Sequence, residues 1–144
     1  MKLQVLTSRE SWFHSNYKKI SNPYKYIFGK IITSHKKINR NDITIIISYY
    51  KIIPKKYLLR SKHNLVVHES NLPKGRGMSP LINQILKGKK NIIFSLFECS
   101  SKLDDGNIYF KKKVNFSSGM LYEEIKKRQM NSAFELIQKF KKNI

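Results

Sequence analysis

The chain has 144 residues with a hydrophobic fraction of 40% and an aromatic fraction of 12%, which is enough for a core and excludes a disordered segment. Its 29 Lys and Arg against 9 Asp and Glu give a net charge of +20, which attracts anions such as nucleic acid, anionic lipid or phosphorylated metabolites. No stretch approaches the roughly 20 apolar residues of a membrane-spanning helix, and no signal-peptide layout is present, so a single cytoplasmic domain over residues 1–144 is expected.

Short strands alternate with helices in the first half of the chain. Thr7 and Glu10 match a capping box, which predicts a helix that starts there and ends just before Pro23. The segment DITIIISYY (42–50) is almost continuously apolar and β-branched, which is typical of a strand buried on both faces. A short helical segment is predicted around Pro54. The predicted strands are residues 2–7, 30–33, 42–50 and 64–68, and the helical segment is 51–60.

The second half continues the alternation. Ser79 is a natural N-cap with Pro80 at the first helical position, and Gly88 is placed to end that helix. A C-terminal amphipathic helix is predicted from about Met120 onward. Such alternation predicts a mostly parallel α/β sheet, in which ligands bind beyond the carboxyl ends of the strands. The predicted strands of this half are residues 91–98 and 107–116, which flank a turn at 102–106.

Two polar residues stand at predicted strand ends. His68 ends a buried strand, and Asp104 lies in the turn between the last two strands. A His and an Asp in these places would form a hydrogen-bonded acid/base pair. By spacing alone, a structural His and a turn made by Asp-Asp-Gly explain the same residues.

Three motifs in one register carry a resemblance to a known family. The loop HESNLPKGRG (68–77), the segment SYYKIIPK (48–55) and the turn LDDGNI (103–108) occur in this order. Their order and separations resemble those of the folate-dependent formyltransferases. The resemblance covers about residues 42–116. The sequence of the first loop is similar to that of a short bacterial branch of the family, which is found among surface-sugar synthesis genes.

The resemblance implies a single-domain, Rossmann-like, mostly parallel sheet flanked by helices, and transfer of a formyl group from 10-formyltetrahydrofolate to an amine. It implies that His68 is the catalytic His and that Asp104 orients it and handles protons. The residues expected to contact the formyl donor are Tyr49, Tyr50, Ile52, Ile53, Leu72, Pro73 and Lys102. The residues expected to contact the acceptor are Ser70, Lys74 and Arg76.

One position departs from the family's pattern. The family's third catalytic residue is an Asn two positions before the His, and this chain has Val66 there. Amine attack on a formyl carbon creates a developing oxyanion, and a donor aimed at it is commonly worth roughly 10²- to 10³-fold in rate. Val66 has no side-chain donor, so His68 or a backbone N–H would have to serve.

The expected acceptor is an amino sugar carried on a nucleotide. Family members that formylate methionyl-tRNA carry a further C-terminal domain, which this sequence does not include, and a diphosphate suits the charge of Lys74 and Arg76. Two alternatives stay open: a methionyl-tRNA formyltransferase-like enzyme, and a non-catalytic fold that binds RNA or another polyanion. Nucleic-acid binding is expected to be weak and unspecific, since no RNA-reading motif interrupts the basic residues.

No metal site is expected. His14, His35 and His63 lack metal-ligand spacing, and the single cysteine, Cys99, excludes a Cys-based zinc site and an internal disulfide framework.

Overall fold

The protein is described by a computed structural model that covers residues 1–19, 29–77, 79–102 and 104–144. The strands are β1 (Leu3–Leu6), β2 (Lys30–Ile32), β3 (Asn41–Ile46), β4 (Ser61–His68), β5 (Asn91–Glu98) and β6 (Ile108–Asn115). They form one sheet in the order β2-β1-β3-β4-β5-β6. The pairs β1–β2, β1–β3 and β3–β4 are parallel, whereas β6 runs antiparallel to β5. The predicted mostly parallel α/β sheet is confirmed.

Four α-helices accompany these strands in the described residues. They are α1 (Trp12–Asn16), α2 (Lys55–Leu58), α3 (Pro80–Leu86) and α4 (Tyr122–Lys142). No helix formed by residues 1–19, 29–77, 79–102 or 104–144 is long and apolar enough to cross a membrane.

The predicted start of the first helix is wrong. The helix begins at Trp12 with Ser11 as its N-cap, and the Ser11 hydroxyl accepts the His14 N–H at 3.0 Å. Thr7, the residue predicted to cap it, instead pairs its hydroxyl with that of Ser11 at 2.9 Å. Ser and Thr are both preferred N-cap residues, and the helix uses Ser11, four residues after the predicted cap. The part of the predicted helix at 20–22 lies outside the described residues.

The apolar run 42–50 also ends as a strand sooner than predicted. β3 stops at Ile46, because Ser48 has a φ of +49° and an extended strand cannot continue through that conformation. The Ser48 carbonyl accepts the Ser8 N–H at 3.1 Å. Of the elements that follow, β5 spans the predicted residues and α3 begins at Pro80 as predicted. The helix predicted at 51–60 is limited to Lys55–Leu58, and β4 begins at Ser61, three residues before its predicted start.

Contacts divide the chain into two compact units. The first unit comprises Met1–Val66 and Glu98–Lys102, and the second comprises Val67–Phe97 and Leu103–Ile144. The core of the first unit is a cluster of buried aliphatic side chains: Leu6, Ile32, Ile38, Ile46, Ile53 and Leu58. In the second unit Phe94 stacks on Phe116, with ring centroids 6.1 Å apart. The buried face of α4 contains Phe134, Ile137 and Phe140.

Candidate active site

The second unit brings His68 and Asp104 together. His68 is the last residue of β4, and Asp104 lies in the turn that precedes β6. The His68 Nε2 is 3.6 Å from the Asp104 Oδ2, and the two side chains are only 8% and 10% exposed. Water therefore screens their interaction weakly. The residues predicted to form an acid/base pair thus lie within ion-pair distance of each other.

The His68 ring is oriented by a backbone carbonyl. Its Nε2 lies 2.7 Å from the Gly75 carbonyl oxygen. A carbonyl oxygen only accepts, so Nε2 carries a hydrogen and donates it. In the neutral ring, Nδ1 is then the nitrogen that is able to accept a proton.

Asp104 is held from the same loop. Its Oδ2 accepts the Gly77 N–H at 3.0 Å, and the Arg76 guanidinium pairs with the neighbouring Asp105 at 3.0 Å. Asp104 has a φ of +48°, a left-handed conformation that Asp tolerates better than most residues. The HESNLPKGRG loop therefore fixes both members of the pair.

Internal contacts account for the shape of this loop. The Ser70 hydroxyl donates to the Lys74 carbonyl at 2.7 Å, and the Ser95 hydroxyl donates to the Ser70 carbonyl at 2.7 Å. Gly75 has a φ of +72°, and a Cβ there would lie 2.8 Å from the Ser70 Cβ. Only Gly allows the chain to approach Ser70 this closely, and its carbonyl is the one that holds His68.

The predicted ligand residues of this loop differ in exposure. Leu72 is 1% exposed and Ser70 is buried, so the structure gives both an internal packing role. Pro73, Lys74 and Arg76 are exposed.

The predicted donor-binding segment lies in the first unit, where Tyr49 is tied to His35. The Tyr49 Oη accepts the His35 N–H at 3.1 Å and lies 2.7 Å from the His35 Nδ1. Burial, together with nearby lysines, lowers the pKa of His35 and favours the neutral ring, whose Nδ1 is able to accept a hydrogen bond from the Tyr49 hydroxyl. Tyr49 also packs against the core of the first unit.

The rest of this segment presents apolar surface. Tyr50 is 50% exposed and Ile52 is 82% exposed, whereas Ile53 is buried in the core of the first unit. The Tyr50 N–H is held by the Ser8 hydroxyl at 3.0 Å. Lys102, from the same unit, is exposed. This segment therefore presents two exposed apolar side chains on a backbone that is held at Tyr50.

Comparison with known proteins decides the family. The formyl transferase family matches residues 27–139. The chain belongs to the formyl transferase family. Methionyl-tRNA formyltransferase of Rickettsia rickettsii (strain Iowa) is 32% identical over 116 residues, which are 80% of this chain and 38% of that protein. The same enzyme of Buchnera aphidicola subsp. Acyrthosiphon pisum (strain Tuc7) is 41% identical over 78 residues, 54% of this chain and 25% of that protein. The chain thus spans well under half the length of these relatives.

Solved structures share the fold of this formyl transferase chain. Methionyl-tRNA formyltransferase from Clostridium thermocellum superposes with a TM-score of 0.74 and 22% identity, over 99% of this chain and 66% of that chain. The formyltransferase PseJ from Anoxybacillus kamchatkensis gives a TM-score of 0.64 with 18% identity, over 97% of this chain and 74% of that chain. PseJ was solved in complex with UDP-4,6-dideoxy-4-formamido-L-AltNAc and tetrahydrofolate.

One part of this candidate site was missed at the sequence level. Glu69, beside His68, accepts a hydrogen bond from the Gln129 amide of α4 at 2.6 Å, and its own carbonyl accepts from the Gln84 amide of α3 at 2.6 Å. Burial raises the pKa of Glu69, although the Gln129 hydrogen bond and the charges of His68 and Lys126 oppose the rise. The partners lie 15 and 60 residues away, so no local pattern marks them.

Glu69→Gln is expected to stabilise the protein at neutral pH. A carboxyl whose pKa is raised on folding contributes stability below its unfolded pKa, and that contribution is lost as pH rises through the folded pKa. Gln cannot ionise and still accepts from Gln129. Urea unfolding should therefore show a more stable variant at pH 7 and no difference below about pH 4. Glu10→Gln on the surface controls for the lost charge. A variant that is less stable at pH 7 would contradict this reasoning.

Proposed function

We propose that this chain transfers a formyl group from 10-formyltetrahydrofolate to the primary amine of a nucleotide-linked amino sugar in surface-polysaccharide synthesis. The observation that carries the proposal is the buried His68–Asp104 pair at 3.6 Å, with the His68 Nε2 held by the Gly75 carbonyl. Bound 10-formyltetrahydrofolate would supply the formyl carbon and leave as tetrahydrofolate, and Tyr50 and Ile52 would contact its ring system.

The residues of the pair have separate tasks in this proposal. His68 Nδ1 accepts the proton that the attacking amine loses, because Nε2 already donates to Gly75. The ring then carries a positive charge 3.6 Å from the Asp104 carboxylate, which stabilises it. The Gly77 N–H keeps that carboxylate in place.

The proposal also names the acceptor as a nucleotide-linked amino sugar. Lys74 and Arg76 are exposed cations on the loop that holds His68, and they suit the diphosphate of a nucleotide sugar. PseJ, with the same fold, binds such a sugar. A second candidate acceptor is methionyl-tRNA, and the identity to the rickettsial methionyl-tRNA formyltransferase favours it. A non-catalytic chain that binds a polyanion is the third candidate, and Val66 in place of the family's Asn favours it.

A transfer assay tests the proposal. The protein is incubated with 10-formyltetrahydrofolate and either a panel of nucleotide-linked amino sugars or methionyl-tRNA, and products are analysed by mass spectrometry. We expect an added formyl group on one of the sugars. Formylation of methionyl-tRNA alone would replace the proposed acceptor. Absence of transfer to every amine, together with no calorimetric binding of 5-formyltetrahydrofolate at millimolar concentration, would contradict the enzyme proposal itself.

A further inference from the structure

A basic cleft lies in the first unit, at the amino ends of β1, β3 and β4. It has a volume of about 1210 Å³. Lys2 precedes β1, Asn41 begins β3 and Ser61 begins β4, and all three residues line the cleft. Its ionisable side chains are those of Lys2, Arg40, Asp42, Lys56, Arg60 and Lys62.

The single carboxylate of the basic cleft is already engaged. Asp42 pairs with the Lys62 ammonium at 2.7 Å and accepts the Lys2 N–H at 2.8 Å. The hydrogen bond to Lys62, followed by that to the Lys2 backbone, lowers the pKa of Asp42. The carboxylate therefore stays charged and offsets Lys62 alone. Four cationic side chains remain.

Arg60 is fixed in place among these cations. Its guanidinium donates to the Ile38 carbonyl at 3.0 Å and lies 4.9 Å from the centroid of the Tyr57 ring. Lys2, Arg40 and Lys56 are exposed, and no carboxylate in the described part of the chain forms an ion pair with them. The cleft thus presents uncompensated positive charge on a rigid frame.

The shape of the basic cleft selects among anions. The cleft is an open groove in the surface, and its four uncompensated cations are contributed by residues 2, 40, 56 and 60. A polyanion whose phosphates repeat along a chain is able to contact several of these cations at once, whereas one small anion is not. We propose that the basic cleft binds the phosphate backbone of single-stranded nucleic acid, at a site separate from the His68–Asp104 pair.

The basic cleft and the candidate active site share no residue. All residues that line the cleft belong to the first unit, whereas His68 and Asp104 belong to the second. Substitutions in the cleft therefore leave the residues of the proposed formyl transfer unchanged, and loss of either activity is measurable without the other.

The test uses fluorescence anisotropy of labelled single strands of about 20 nucleotides, one RNA and one DNA of the same sequence, titrated with salt. Arg40→Glu/Lys56→Glu removes two cations of the basic cleft. Lys89→Glu/Lys127→Glu changes the net charge equally at exposed residues of the second unit. Arg40→Ala/Lys56→Ala serves if the charge reversal impairs folding, which circular dichroism monitors.

We expect the cleft variant to bind both probes at least about tenfold more weakly at about 0.1 M salt, with the salt slope reduced by about 1.4 for two lost phosphate contacts. The control variant should change affinity by less than about threefold. Equal losses in both variants would assign binding to net charge and overturn the proposal. Binding to phosphatidylserine vesicles without binding to either probe would overturn it as well.

Discussion

Replacing His68 with Ala is expected to lower kcat for formyl transfer by roughly 10²- to 10⁴-fold, the usual worth of a positioned acid/base group. The ring is buried, its Nε2 donates to the Gly75 carbonyl, and Asp104 lies 3.6 Å away. Alanine removes a ring nitrogen that is able to accept a proton at the end of β4, on a ring 3.6 Å from a carboxylate. Because Val66 supplies no donor, we expect the loss at the upper end of that range.

Two further variants separate proton transfer from structural support. His68→Asn retains a donor for the Gly75 carbonyl but cannot titrate, so it should recover less than about tenfold of the lost rate. His63→Ala is the matched control, because it makes the same substitution earlier in β4, where His63 lies 3.4 Å from Glu98. Rapid-quench measurements of kcat on the folded variants distinguish proton transfer from structural support. Unchanged transfer in His68→Ala would contradict the proposed role of this residue.

The sheet was largely predictable, because its signals are local. The apolar segment that forms β5 has strand composition and clear flanking turns, and Pro80 marks the first turn of α3. The early end of β3 was not predictable from composition. The φ of +49° at Ser48 accompanies a hydrogen bond between the Ser48 carbonyl and the N–H of Ser8, which lies in another part of the chain. Local patterns do not contain such long-range backbone contacts.

The residues of the candidate site were predictable from the sequence, whereas the groups that hold them in place were not. His68 and Asp104 occur at strand ends in the pattern of the family, and the structure brings them together. The carbonyl of Gly75 and the N–H of Gly77 are backbone groups, so residue type does not predict that they bind His68 and Asp104. The Gln129 amide reaches Glu69 across 60 residues of sequence.

Some of the positive charge is structural, which sequence counting does not reveal. The Lys111 ammonium of β6 donates to the Asn71 side chain at 2.7 Å and to the Leu72 carbonyl at 2.8 Å. Lys112 pairs with Glu135 of α4. These lysines join β6 to the HESNLPKGRG loop and to α4, whereas Lys2, Arg40 and Lys56 extend into the basic cleft. The net charge of +20 therefore has more than one physical use.

Val66→Asn is expected to raise kcat, by up to roughly 10²-fold if the new amide reaches the oxygen on which negative charge develops. Val66 stands two residues before His68 on β4, so both side chains are on the same side of the strand. It is the position at which the resemblance places the family's Asn. A preorganised donor there would add stabilisation that the present chain obtains only from His68 or the backbone.

The same substitution carries a cost in stability. Val66 packs against the core cluster of the first unit, which contains Leu6 and Ile46. An amide that finds no partner there would lower the free energy of unfolding by roughly 1–3 kcal/mol. Val67→Asn is the matched control, because it places the same amide on the opposite side of the strand, where no gain in rate is expected. A folded Val66→Asn protein, verified by urea unfolding, that transfers formyl more slowly than wild type would show that the oxyanion lies elsewhere and that Val66 favours turnover by excluding water.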